Sequence, residues 1–192
     1  MEGSLILEDG NVVSFVAIDF ETADNGRDSA CSVGMVRVDG DRITAREHRL
    51  IRPPRRHFIY TYIHGLKWTD VQFAPVFADV WRDVKPILEG AEFLAAHNAG
   101  FDRGVLSGCC RAGGLKAPDL PWTCTVQLSR HVLNIRPANL GHVCRTLGIP
   151  LRHHEALSDA EACARIVLLA RAVRPFGQSG SGSMPRPSAT RL

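Results

Sequence analysis

Val12-Val13-Ser14-Phe15-Val16-Ala17-Ile18-Asp19-Phe20-Glu21-Thr22 is the stretch on which the fold turns. Its apolar, β-branched first part reads as a strand buried on both faces, as in a sheet covered by helices. Successive side chains on a strand point to opposite sides. Asp19 and Glu21 therefore share one side at the strand's end, while Phe20 turns away into packing.

Outward from this strand, residues 30–38 and 43–51 read as two more strands, with Asp39-Gly40 as a hairpin turn between them. Residues 70–89 carry apolar positions near helical spacing, with Pro75 at a helix start or break. Residues 91–96 form a short apolar strand, and 101–113 a helix stopped by Gly113-Gly114. Further helices are expected over 123–132, over 139–147 with Asn139 as N-cap and Gly148 as stop, and over 158–173. A fifth strand near 119–123 is more weakly signalled. A strand meander followed by alternating helices and strands predicts an α/β fold, a mixed five-stranded sheet flanked by helices. Residues 1–176 are read as one domain, and the Gly/Ser/Pro-rich residues 177–192, without apolar periodicity, as a disordered tail.

The chain has 192 residues, 45% of them hydrophobic, enough for a substantial core. No apolar run approaches the roughly 20 residues of a membrane span, and Met1-Glu2-Gly3-Ser4 lacks the features of a secretory signal. A soluble, cytoplasmic protein with no membrane partner is expected. The six cysteines form no Cys-x-x-Cys pair and sit mostly among apolar residues, which predicts reduced core thiols. Of the net charge of +3, Arg186 and Arg191 of the tail supply two, so residues 1–176 carry +1. Arg49, Arg52, Arg55, Arg56 and His57 crowd one stretch. They make either a solvated loop or a phosphate-binding surface.

Three short blocks carry the chemistry: Asp19-Phe20-Glu21-Thr22, His97-Asn98-Ala99-Gly100-Phe101-Asp102, and His154-Glu155-Ala156-Leu157-Ser158-Asp159. Singly each has an ordinary explanation: solvated acids at a strand end, an acid favoured by a helix dipole, an acid capping a helix. Jointly they do not. Four carboxylates gathered without a counter-ion would cost on the order of several kcal/mol in a partly desolvated site. An all-oxygen donor set suits Mg2+ or Mn2+. Two such cations held by Asp19, Glu21, Asp102 and Asp159 could hydrolyse a phosphodiester, with His154 as general base.

On these residues the chain resembles the DEDDh 3'–5' exonucleases, the family of the epsilon proofreading subunit of bacterial DNA polymerase III. The resemblance runs from about residue 13 to 173 and includes Ile63-His64-Gly65-Leu66 between the first two blocks. It implies a ribonuclease-H-like fold and release of nucleoside 5'-monophosphates from a single-stranded 3' end. Histidine five residues before the last aspartate marks the DEDDh branch; the sister branch has tyrosine four residues before it, where this chain has Glu155. The resemblance implies that Asp19, Glu21 and Asp159 surround the metal on the nucleophile side. Asp19 would also reach the second metal, held by Asp102 largely through water. Thr22 and Ala23 would touch the terminal nucleotide, and Phe101, Asn98 and His64 would help shape its pocket. Gly100 stands where the family often has a larger residue, and Ala23-Asp24-Asn25 lacks the apolar wedge that often parts the last two bases.

DNA is the favoured substrate. The alternatives are an exoribonuclease acting on short RNA or RNA 3' ends, and a catalytically inactive nucleic-acid-binding protein on the same fold. Arg52, Arg55 and Arg56 are expected at the substrate backbone because their loop precedes His64. No motif for a DNA polymerase or repair partner is visible.

Overall fold

A computed structural model describes residues 13–173. The expected tail and the 176/177 boundary lie outside these residues. Five strands form one sheet in the order β3-β2-β1-β4-β5. β1 (Ser14–Thr22) is central; it pairs antiparallel with β2 (Ala30–Asp39), which pairs antiparallel with β3 (Arg42–Leu50). On its other side β1 pairs parallel with β4 (Phe93–Ala96), and β4 parallel with β5 (Trp122–Cys124).

The period of two along β1 divides the core. Val16, Ile18 and Phe20 pack with Phe77, Val80, Trp81, Val105 and Leu106 on one face. Phe15 and Ala17 pack with Ala160, Cys163, Ala164 and Val167 on the other. The first group of partners comes from α3 (Phe77–Val84) and α4 (Ala99–Ala112), the second from α7 (Ala156–Val173). Burial on both faces is why the strand has no polar alternation before Asp19.

The expected helix over 70–89 is instead three pieces: α2 (Trp68–Val71), α3, and a 3-10 turn over Lys85–Leu88. Pro75 lacks the N–H that would continue α2, and Pro86 sits in the tightened turn that ends α3. α4 and α7 each begin two residues earlier than expected, and the helix expected over 123–132 is α5 (Thr125–His131). α6 (Leu140–Leu147) has the expected caps: the Asn139 side chain accepts from the His142 N–H, and Gly148 is left-handed. α1 (Thr61–His64) is a single turn closed by left-handed Gly65. All six cysteines are free thiols, and five are buried. Among the described residues no helix is long and apolar enough to cross a membrane.

One glycine sets the distance between sheet and helix. Gly34 pairs with Asp19 in the β1–β2 ladder, and a Cβ on it would stand 2.2 Å from the Ala156 carbonyl oxygen. Its missing side chain lets the start of α7 lie directly on the sheet. The third block is thereby brought over the first.

Candidate active site

The two acids of β1 emerge where the strand leaves the sheet, with a register irregularity between Glu21 and Thr22. Such a bulge re-aims side chains at a sheet rim. Asp19, Glu21 and Asp159 each bring a carboxylate oxygen within 4.8 Å of the others. Asp102 stands outside that group. Its Oδ1 accepts a hydrogen bond from the Phe20 N–H at 3.1 Å, so the backbone between the two acids of β1 fixes the acid of α4. All four border one cavity of about 420 Å³, together with Thr22, His64, Asn98 and Phe101.

The second block is held by its first two residues. Asn98 is left-handed (φ 67°), turning the chain from β4 into α4. His97 Nε2 lies 3.0 Å from the Ala138 carbonyl oxygen and Nδ1 2.9 Å from Thr125 Oγ1. A neutral ring satisfies both, donating from Nε2 and accepting at Nδ1. Burial, which lowers its pKa, favours that form. His97 is therefore a brace rather than a ligand.

In the third block, His154 also takes a left-handed conformation (φ 67°). Its N–H donates to Asp159 Oδ2 at 3.1 Å, while the neighbouring His153 places Nδ1 3.0 Å from the same oxygen. The two imidazoles stack with centroids 3.8 Å apart. Sequence reasoning passed over His153; its signal was a position six residues before Asp159, across the same turn. Asp159 Oδ1 is buried and has no hydrogen-bond partner.

Protonation follows from this crowding. Burial, then the charges of Asp102, Asp159 and Glu21, push Asp19 well above the usual carboxylate range. Burial, then Asp159 and Asp102, raise Glu21 from 4.5 to about 8. Burial raises Asp102 from 3.8 to about 8 against the Phe20 hydrogen bond, and burial raises Asp159. A carboxylate cluster with a bare, buried oxygen fits a hard divalent cation, which would stabilise the ionised form of every member. His154 is lowered by burial and then by the charge His153 can carry, so it is poised as a neutral acceptor.

The expected substrate contacts divide. Thr22, Asn98, His64 and Phe101 line the cavity. His64 uses both ring nitrogens internally, Nε2 to the Thr22 carbonyl oxygen at 3.2 Å and Nδ1 to the Leu66 N–H at 3.1 Å, so it contributes a fixed wall. Ala23 corrects the expectation: it is fully buried, its N–H donates to Ser29 and its carbonyl accepts from Ile59. None of the three residues of the arginine loop lines the cavity. Arg55 is taken up by Asp24 and Asp28 at 2.8 and 2.5 Å, Arg56 lies 5.3 Å from the Trp68 ring centre, and Arg52 borders a separate hollow beside Val76 and Ala112. A Cβ at Gly100, where the family often has a larger residue, would meet open space.

Comparison with known proteins agrees with this geometry. Residues 16–167 match the family described as Exonuclease (RNase_T). The chain is 31% identical over 160 residues to the PolC-type DNA polymerase III of Thermotoga maritima, covering 81% of this chain and 12% of that protein. It is 31% identical over 141 residues to exodeoxyribonuclease 10 of Escherichia coli K12, covering 68% of this chain and 56% of that one. The chain thus spans only part of the length of these relatives. Its fold superposes on the nuclease domain of 3'hExo, a DEDDh family member, bound to rAMP, with a TM-score of 0.69 at 18% identity, covering 82% of this chain and 91% of that one. With Asp19, Glu21, Asp102, Asp159 and His154 gathered around one cavity, this chain belongs to the exonuclease family.

Proposed function

We propose that the protein removes nucleoside 5'-monophosphates one at a time from the 3' end of single-stranded nucleic acid, with DNA preferred. The observation that carries this reading is the convergence of four carboxylates and a neutral histidine on one cavity large enough for a small ligand. Asp19, Glu21 and Asp159 would hold one divalent cation, and Asp19 with Asp102 a second, either Mg2+ or Mn2+. When bound, such ions supply charge neutralisation at the scissile phosphate and a lowered pKa for the attacking water.

The chain's own residues do the rest. Thr22, Asn98 and Phe101 would seat the terminal nucleotide against the fixed His64 wall. His154 would take the proton of the attacking water on its ring nitrogen. His153, bonded to Asp159 and stacked on His154, holds that ring and that carboxylate together. Preference for DNA is supported by the sequence likeness to exodeoxyribonuclease 10. The second reading, an RNA 3' end, is supported by the rAMP bound in the 3'hExo domain of the same fold. The PolC-type relative suggests a polymerase context for the same chemistry.

The test is release of label from 3'-labelled and 5'-labelled single strands of DNA and RNA, with Mg2+, Mn2+ or EDTA, beside Asp19→Ala. Metal-dependent release of 3' mononucleotides, lost in Asp19→Ala, is expected. Cleavage retained in the variant would sink the reading, and a preference for RNA would establish the second one.

A further inference from the structure

The arginines that the sequence put forward do not line the cavity; another, which it did not put forward, lies against Phe101, one of the residues that do. Arg27 lies in the connection between β1 and β2, along α4. Its backbone sits over Gly108, where a Cβ would come 2.5 Å from the Arg27 carbonyl oxygen. Its guanidinium crosses Gly104, where a Cβ would lie 3.1 Å from Nη1. It ends over Phe101, 5.3 Å from the ring centre, with Nη1 donating to the Phe101 carbonyl oxygen at 3.3 Å. Positions 101, 104 and 108 fall on one stripe of a helix. Glycine inside a helix is destabilising, so two on that stripe give up helix stability to let the arginine lie flat.

Two further features make this a prepared cation. The turn that carries Arg27 is stiffened by Asp24, which accepts from the Gly26 N–H at 2.7 Å, and by Ser29, whose hydroxyl donates to the Asp24 and Gly26 carbonyls. The acids on either side of Arg27, Asp24 and Asp28, are engaged by Arg55. Among the described residues Arg27 forms no ion pair, although its charge acts to lower the Asp102 carboxyl pKa, and it remains exposed against Phe101 of the cavity wall.

We propose that Arg27 grips the strand upstream of the scissile bond, its guanidinium contacting a backbone phosphate on the 5' side of the leaving oxygen as the strand passes over Phe101. The placement rests on the exonuclease reading above. In an in-line displacement the attacking and leaving oxygens lie on opposite sides of phosphorus. His154 adjoins the cluster of Asp19, Glu21 and Asp159, which marks the attacking side. Phe101 and Asp102, outside that cluster, face the leaving strand. A planar guanidinium already immobilised by ring and carbonyl loses little freedom on meeting a phosphate.

Two substrates separate this role from a structural one: a short single-stranded oligothymidylate, and the p-nitrophenyl ester of thymidine 5'-monophosphate, which has a scissile phosphodiester and no upstream phosphate. For Arg27→Gln, KM on the oligonucleotide should rise about five- to twentyfold, the range of one charge-assisted hydrogen bond at an exposed site, with kcat nearly unchanged. Turnover of the ester should change far less, since Arg27 reaches that substrate only through its charge near Asp102. Replacing upstream phosphates one at a time with neutral methylphosphonate should reproduce the same rise in the unaltered protein at one position, with no further effect there in Arg27→Gln. An unmoved KM on the oligonucleotide, an equal loss on the ester, or no sensitive upstream phosphate overturns the inference while leaving the exonuclease reading intact. No hydrolysis of either substrate by the unaltered protein defeats that reading and this inference with it.

Discussion

Removing divalent metal should make the fold lose stability as pH rises, the reverse of what an ordinary set of acids does. Glu21 and Asp102 both keep their protons to about pH 8 in the folded chain, whereas in the unfolded chain they ionise near 4.5 and 3.8. Between those values the folded state holds protons that the unfolded chain has lost, so raising the pH favours unfolding. His64, His97 and His154 are lowered from 6.5 and act in the opposite sense below that value, so the interval above about pH 7 isolates the carboxylates. A group with a folded pKa of 8 gives up about 1 kcal/mol between about pH 7 and about pH 8.5. The neighbouring pair titrates jointly, for about 1–2.5 kcal/mol in total. At roughly 2–4 °C per kcal/mol for a domain of this size, the Mg2+-dependent rise in Tm should be ~2–10 °C larger at the higher pH. The assay is thermal unfolding followed by circular dichroism, with Mg2+ against EDTA at each pH. Reading the difference cancels the cysteine thiols, which titrate equally in both arms. A Mg2+ increment that stays constant or shrinks with pH would refute the assignment of this cluster as a cation site.

Further outcomes follow from single contacts. His154→Ala should lower kcat by about 10²–10⁴-fold with Mg2+ stabilisation retained, whereas His153→Ala should lower it less, since its ring bonds Asp159 without being placed to take the proton; single-turnover kinetics on labelled oligonucleotide distinguishes them. Gly34→Ala places a Cβ 2.2 Å from the Ala156 carbonyl oxygen, so it should destabilise the fold by about 1–3 kcal/mol or more and weaken activity through α7, measured by urea unfolding beside turnover. Arg55→Ala frees Asp24 and Asp28; salt dependence of oligonucleotide binding should change through the mobility of the Arg27 turn, and unchanged binding with unchanged unfolding would show that the ion pairs are incidental.

Much of the site was legible in the sequence because its parts are local. A strand's period of two places Asp19 and Glu21 together regardless of what surrounds them, and helix-start chemistry places Asp102 and Asp159 in first turns. The break of 70–89 into three pieces was less legible, since apolar spacing in that region is helical on average and only the geometry around Pro75 and Pro86 decides where each turn ends. The partners of the arginine loop were not legible for a different reason: charge density in sequence says nothing about which guanidinium finds a carboxylate. Arg55 meets acids thirty-one and twenty-seven residues earlier in the chain.

By itself the sequence determined the buried central strand, the mixed sheet, the five residues of the DEDDh pattern and their order, because periodicity, capping and motif spacing are properties of short segments. Tertiary structure alone decided that Gly34 lets α7 close over Asp19 and that Ala23 is fully buried. It also decided that Arg27, not Arg55, is left without an ion pair, against the cavity-lining Phe101. Each of these depends on contacts between residues far apart in the chain, where close packing and the pairing of charges are settled only once the layers have met.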